Sequence, residues 1–213
     1  MLKLKNLRIL LSIILSIYFL GLVPQHLEAE EIFQQGDHCL AYKAKETILL
    51  FVDSDVIGKT CKISARLESE GGNTRYVVTF PLRSLNSGVN MRDKDVNKIL
   101  SVESHPLISF VSDFVTGEQV IEALIQGKTK LSGVLEVGGN PYKMQFPLKL
   151  SEHFGVWLVT GKLVTSFSDL GLELPAVLGG VVADTLDYLE LLVHLRLDRI
   201  HGLAEYQAKS MSQ

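Results

Sequence analysis

Beyond its first thirty residues the chain alternates apolar and polar positions with a period of two. In "RYVVTFPL", Tyr76, Val78, Phe80 and Leu82 fall on one side. "PLISFVSDF" sets Ile108 and Phe110 on one face, and "KLSGVLEV" aligns Leu131, Gly133, Leu135 and Val137. "YKMQFPLKL" places Tyr142, Met144, Phe146, Leu148 and Leu150 opposite Lys143, Gln145 and Lys149. "LDYLELLVHLRLDRI" alternates Leu189, Leu191, Val193, Leu195 and Leu197 with Glu190, His194, Arg196 and Asp198. Such alternation predicts antiparallel strands with one buried face. Turn chemistry separates the runs at "DSD", "EGGN", "TGEQ", "GGNP" and "VLGG". The pattern predicts one all-β domain of about eight strands, an up-and-down barrel or a sandwich. Closure would hide the edges of strands this long and apolar. Helix is expected only in the opening stretch, in the tail near "LAEYQAKSMSQ" and in one short insert.

That insert is "MRDKDVNKIL", Met91 to Leu100, where Asp93, Asp95 and Asn97 begin like a calcium loop. A twelve-residue calcium loop needs glycine at its sixth position and a bidentate glutamate at its twelfth. Here those positions hold Lys98 and Ser104, and Lys94 would add a cation beside the ion. The stretch is read instead as an amphipathic helix with Met91, Val96, Ile99 and Leu100 on its apolar face.

The N-terminus changes the picture of location. Lys3, Lys5 and Arg8 precede an apolar run from Ile9 to Val23, then Pro24, which is the pattern of a secretory signal. The run is shorter than the ~20 residues a spanning helix needs. Cleavage is expected after Ala29, giving a signal over 1–29, a β domain over 30–200 and a polar tail over 201–213. The product would be periplasmic or secreted, with no stable membrane span. Removing 1–29 takes away three basic residues and one acid, leaving 18 Lys+Arg against 23 Asp+Glu and a net charge of −5. With no Lys/Arg block along the chain, this argues against nucleic acid or an anionic membrane surface as a partner.

Both cysteines, Cys39 and Cys61, lie in the exported part, where disulfides persist. A hairpin turning at Asp53–Asp55 would set Cys61 opposite Thr47 and away from Cys39. A bend, or pairing through a neighbouring strand, would restore proximity, so the bridge stays open on this reading.

Catalytic motifs are absent: no H-E-x-x-H, C-x-x-C, G-x-S-x-G or phosphate-cradling G-x-x-x-x-G-K occurs. Of six histidines, His26 leaves with the signal; His38, His105, His153 and His201 sit at strand ends or in the tail, and His194 on a polar face. All are expected to be solvated, and no metal, cofactor or catalytic residue is assigned. A hydrolase or isomerase would need titrating groups facing inward, whereas Glu136, Glu190 and Arg196 fall on the polar faces.

Val77 to Ser112, "VVTFPLRSLNSGVNMRDKDVNKILSVESHPLISFVS", resembles the YceI-like family of exported lipid-binding proteins. The matching pieces are the Ser84-Leu85 turn, Arg92-Asp93 in the helical insert, and the strand carrying Pro106, Ile108 and Phe110. Downstream, Gly133, Leu135, Val137 and Gly139 are similar to the family's G-x-L-x-(hydrophobic)-x-G strand and hairpin. "FSDLGLELP", Asp184 and the last apolar strand resemble its C-terminal end. Asn140-Pro141 departs from the usual threonine-containing turn, and "AVLGGVVAD" is a longer loop than the pattern has. The likeness runs from about Cys39 to Asp198. It implies an antiparallel, eight-stranded lipocalin-like barrel with one short helical insert, holding a long-chain apolar lipid or isoprenoid without chemistry. Expected lining residues are Phe80, Ile108, Phe110, Leu135, Val137, Met144, Phe146, Leu191, Val193 and Leu195, with Trp157 at the mouth. The competing reading is a structural or interaction protein whose barrel is filled by its own side chains, and a homodimer stays open.

Overall fold

Period two dictates strands, and the computed structural model delivers them. It describes residues 32–48, 52–175 and 183–203. The expected signal over 1–29, the cut after Ala29, the glycine pair Gly179–Gly180 and the tail beyond Leu203 lie outside those residues. The strands belong to one unit, Gln35–Gln213. They are β1 (Cys39–Ile48), β2 (Val52–Thr60), β3 (Ser64–Glu70), β4 (Asn73–Pro81), β5 (Leu107–Ser112), β6 (Lys128–Val137), β7 (Asn140–His153), β8 (Val156–Thr165) and β9 (Ala183–Arg196). One sheet joins them in the order β2-β1-β9-β8-β7-β6-β5-β4-β3, every neighbour antiparallel.

Among the described residues nine strands stand where about eight were expected. With nine strands in eight antiparallel pairs, the outermost two, β2 and β3, run the same way. They are successive lengths of one run, Val52 to Glu70, broken only by Cys61–Ile63. A flat sheet of this order would hold its edges about 38 Å apart. Three linking residues span at most roughly 14 Å, so the sheet must curl until its edges approach. The exposed edges are then tied by main-chain bonds. Lys59 and Asn86 exchange N–H···O=C bonds of 3.0 Å, His201 N donates to Ala65 O, and Leu67 N donates to His201 O, both at 2.9 Å.

The β1–β2 register corrects the turn placement. Ile48 pairs with Val52 and Leu40 with Thr60, so Asp53–Asp55 lie inside β2 rather than at its turn. The same offset carried one step further puts Cys39 level with Cys61. Their sulfurs are bonded at 1.94 Å, with Cα atoms 4.1 Å apart, which ties the start of β1 to the link between β2 and β3.

Among the described residues two α-helices interrupt the strands, one more than the single insert expected. Helix α1 (Asn90–Ile99) is that insert, and it holds the calcium-like triplet. The Asp93 carboxylate accepts from Ser87 N at 2.9 Å and from Ser87 Oγ at 2.7 Å, so it fixes the preceding turn. The expected apolar face is only partly real: Leu100 is buried and Val96 packs on the core, whereas Met91 is exposed. Helix α2 (Gly117–Gln126) begins where "TGEQ" was read as a turn. Thr116 Oγ1 accepts from Gln119 N while Gln119 Oε1 accepts from Thr116 N, a reciprocal capping box, and Gly127 ends the helix in the left-handed region.

Candidate ligand-binding lumen

Around the curled sheet, register alone builds the inner face. Ala65, Val78, Phe110, Leu135 and Tyr142 follow one another across β3 to β7. Leu163, Leu191, Tyr42 and Gly58 do so across β8, β9, β1 and β2. Leu189, Ala44 and Val56 form a further row beside them. At the α1 end two packed clusters fill the interior. One holds Leu82, Leu100, Val102, Ile108, Leu135 and Val137; the other holds Ala44, Val56, Phe167, Leu170 and Leu189. Tyr142, Met144, Leu172 and Leu191 touch both clusters and are only partly buried. Toward the opposite end, Tyr76, Leu131, Leu148, Leu150, Val159 and Val193 share the inner face and are likewise only half-buried.

All eleven expected lining residues lie on this face by strand alternation. Phe80, Ile108, Phe110, Leu135, Val137, Met144 and Leu191 gather at the first cluster. Phe146 meets Phe110 edge-on, with ring centroids 5.4 Å apart at 80°. Val193 and Leu195 continue the face along β9, and Trp157, opposite Glu152, lies near the far end of β8. The eleven are not equivalent: Ile108, Leu135, Val137, Phe146 and Leu195 are buried, while Phe80, Phe110, Met144, Trp157, Leu191 and Val193 keep exposed surface. Tyr42 and Ala44 were missed, although "AYKAKET" carries the same period-two signal in β1, and so was Val56, which pairs with Ala44 from β2. Phe167 and Leu170, on the turn between β8 and β9, had no periodic signature.

One polar corner sits at the α1 end. Glu46, two residues past Ala44 on the same face, pairs with Arg92 of α1 at 3.3 Å. Tyr42 lies beside them, its ring in the space a side chain at Gly58 would need: a Cβ there would be 2.2 Å from Tyr42 Cε1. The Tyr42 hydroxyl is buried with no hydrogen-bond partner among the described residues. Burial, with the Asp93 carboxylate assisting and the Arg92 guanidinium opposing, pushes it up to about 12. An orphaned buried hydroxyl costs stability. Tyr42→Phe is therefore expected to raise unfolding free energy by about 1 kcal/mol, read from denaturant titration; a loss of that size would mean the hydroxyl is bonded in solution.

Of the other titratable groups on the strands, Glu152 shares the inner face at the exposed far end, opposite Trp157, while Glu136, Glu190 and Arg196 face outward. Glu136 is exposed, and Arg196 is held by Asp198. Glu190 is buried on the outer face, where it accepts from the Tyr188 hydroxyl and lies 3.7 Å from Lys162. Asp37, Cys39 and Cys61 form a metal-capable trio among the described residues, but the disulfide uses both sulfurs.

His38 departs from the expected solvated state: it is buried, and its Nδ1 accepts from Arg196 N at 3.0 Å. Burial first, then the Arg199 charge, lowers its pKa below the ordinary imidazole value. The unfolded chain therefore takes up this proton first as pH falls below about 6.5. Stability should decline from there until the folded group also protonates. Melting temperatures measured from pH 8 down to pH 5 should fall more steeply for the wild type than for His38→Gln. Parallel curves would refute the assignment.

A curled antiparallel sheet around an apolar interior, closed by one run that supplies both edges, is a lipocalin-like barrel. The chain belongs to the YceI-like domain family, whose model matches residues 37–191. BcnA of Burkholderia cenocepacia shares the fold at TM-score 0.55 and 15% identity, covering 74% of this chain and 95% of that one. A polyisoprenoid binding domain from Saccharophagus degradans implicated in plant cell wall breakdown is similar at TM-score 0.51 and 13% identity, covering 74% and 92%. No curated protein matches the sequence.

Proposed function

We propose that this chain is an exported binding protein that holds one long-chain apolar ligand, isoprenoid or fatty-acid-like, in its lumen and does no chemistry on it. The observation that carries the reading is the set of inner-face apolar side chains left half-exposed, from Met144 and Leu191 out to Leu148 and Val159. A side-chain-filled barrel would bury them. Family membership and the polyisoprenoid-binding neighbour support the same reading. Each methylene transferred from water gains roughly 0.8 kcal/mol, so a twelve-carbon chain gains on the order of 10 kcal/mol before association costs. The Cys39–Cys61 bridge supports residence in an oxidising compartment, periplasmic or extracellular.

The test is displacement of a fluorescent fatty-acid probe by a polyprenol, followed at fixed protein concentration. Saturable one-to-one displacement is expected. Folded protein that takes up neither probe nor polyprenol would instead favour the filled barrel with a partner surface.

A further inference from the structure

The register assembles a cation cluster that no stretch of sequence shows. Lys128 of β6 stands directly opposite Lys149 of β7, with Cβ atoms about 5 Å apart. Lys130 follows two residues on along the same outer face, and all three are exposed. Lys149 also neighbours Thr160 of β8, and Lys162 lies two residues beyond it. Lys162 is paired with Glu190; Lys128, Lys130 and Lys149 have no acidic partner within ion-pair distance among the described residues. Among nearby acids, Glu122 is engaged by the Gln126 amide, and Glu152 lies on the other face of β7. Facing like charges destabilise a strand pair, in a chain whose net charge is −3.

Apolar groups exposed to water lie at the same end of the barrel. Leu150 N donates to Gly127 O, so α2 ends against β7 beside Lys149. One turn apart on that helix, Ile121 and Ile125 are 59% and 81% exposed. At the tip of the β7–β8 hairpin, Phe154 is 96% exposed. Its φ of 51° is left-handed, a conformation that favours glycine or asparagine. An aromatic there is unfavourable twice over in water, once for its backbone and once for its ring. This is also the end where the inner face is half-buried, away from the packed clusters.

Contrary to the expectation from net charge and from the absence of a basic run, we propose that this end of the barrel docks on an anionic lipid bilayer, with Ile121, Ile125 and Phe154 entering the interface and Lys128, Lys130 and Lys149 facing acidic headgroups. Lysines flanking apolar groups are the combination that interfacial binding requires. The orientation presents the half-buried end of the lumen to the source of an apolar ligand, and in that respect it rests on the binding function proposed above.

The test is co-sedimentation of the full chain with phosphatidylglycerol/phosphatidylcholine vesicles and with pure phosphatidylcholine vesicles, at low and high salt. Binding should require phosphatidylglycerol and weaken with salt. Lys128→Gln, Lys130→Gln and Lys149→Gln together should weaken it about fivefold per lysine, roughly a hundredfold in all. That variant should melt no lower than the wild type, because a repulsion has been removed. Ile125→Ser with Phe154→Ser should weaken binding independently. Wild type that stays in the supernatant, or a triple variant that sediments like wild type, would overturn the proposal. So would binding that ignores the apolar substitutions, which would indicate a site for any polyanion. Polyprenol displacement in the same variants should be unchanged, so a failure of docking and a failure of ligand binding read out separately.

Discussion

Met144→Asp is expected to abolish ligand retention while leaving a folded barrel. Met144 touches both packed clusters yet is only partly buried, at the point where the filled end of the interior gives way to the half-exposed end. In an empty lumen the new carboxylate can stay hydrated. A bound hydrocarbon would strip that water, and desolvating a charge without a partner costs several kcal/mol. Affinity for a polyprenol should fall by more than about a hundredfold, about 3 kcal/mol. The stability loss should stay below about 2 kcal/mol, since the site is not fully packed. Met144→Leu, apolar and of similar volume, should bind as the wild type does. Leu135 and Phe146 are poorer sites for the same experiment, because both are buried and a charge there would attack the fold. Wild-type affinity in folded Met144→Asp would place the ligand elsewhere.

Opening the Cys39–Cys61 bridge is the second large effect. The bond spans a sequence separation of 22 and fastens β1 to the three residues linking the two edges of the sheet. Closing a loop of that size in the unfolded chain is worth about 3 kcal/mol. Reductant should lower the melting temperature by about 6 to 12 °C, and Cys39→Ser with Cys61→Ser should melt like the reduced wild type. A melting temperature indifferent to reductant would mean that the strand pairing alone holds the seam.

What was legible in the sequence followed from local periodicity. Along β4, β5, β6, β7 and β9 every second residue declares its face, so the ten expected lining residues on those strands fall inward, as does Trp157 on β8. Periodicity does not report depth, and Leu135 and Leu191 look alike in sequence although one is buried and the other only partly so. The β1–β2 register was misplaced because Asp53-Ser54-Asp55 has turn chemistry, whereas Leu49–Phe51, between the two strands, has none. A turn at Asp53–Asp55 would set Cys61 opposite Thr47, whereas the true register sets it level with Cys39. Helix α2 hid behind the same ambiguity: Thr116-Gly117-Glu118-Gln119 is a turn by composition and a capping box by spacing. The lysine cluster was illegible for a different reason. Lys128 and Lys149 are 21 positions apart in the chain, and only the β6–β7 register makes them neighbours. Neither lysine belongs to a contiguous basic run.

The central claim, an apolar ligand in the lumen, is tested most directly by mass spectrometry of an organic extract from protein purified without detergent. Wild-type protein should yield one long-chain species in a near one-to-one ratio, depleted from Met144→Asp prepared in parallel. An extract without lipid from correctly folded, disulfide-bonded wild type would contradict it.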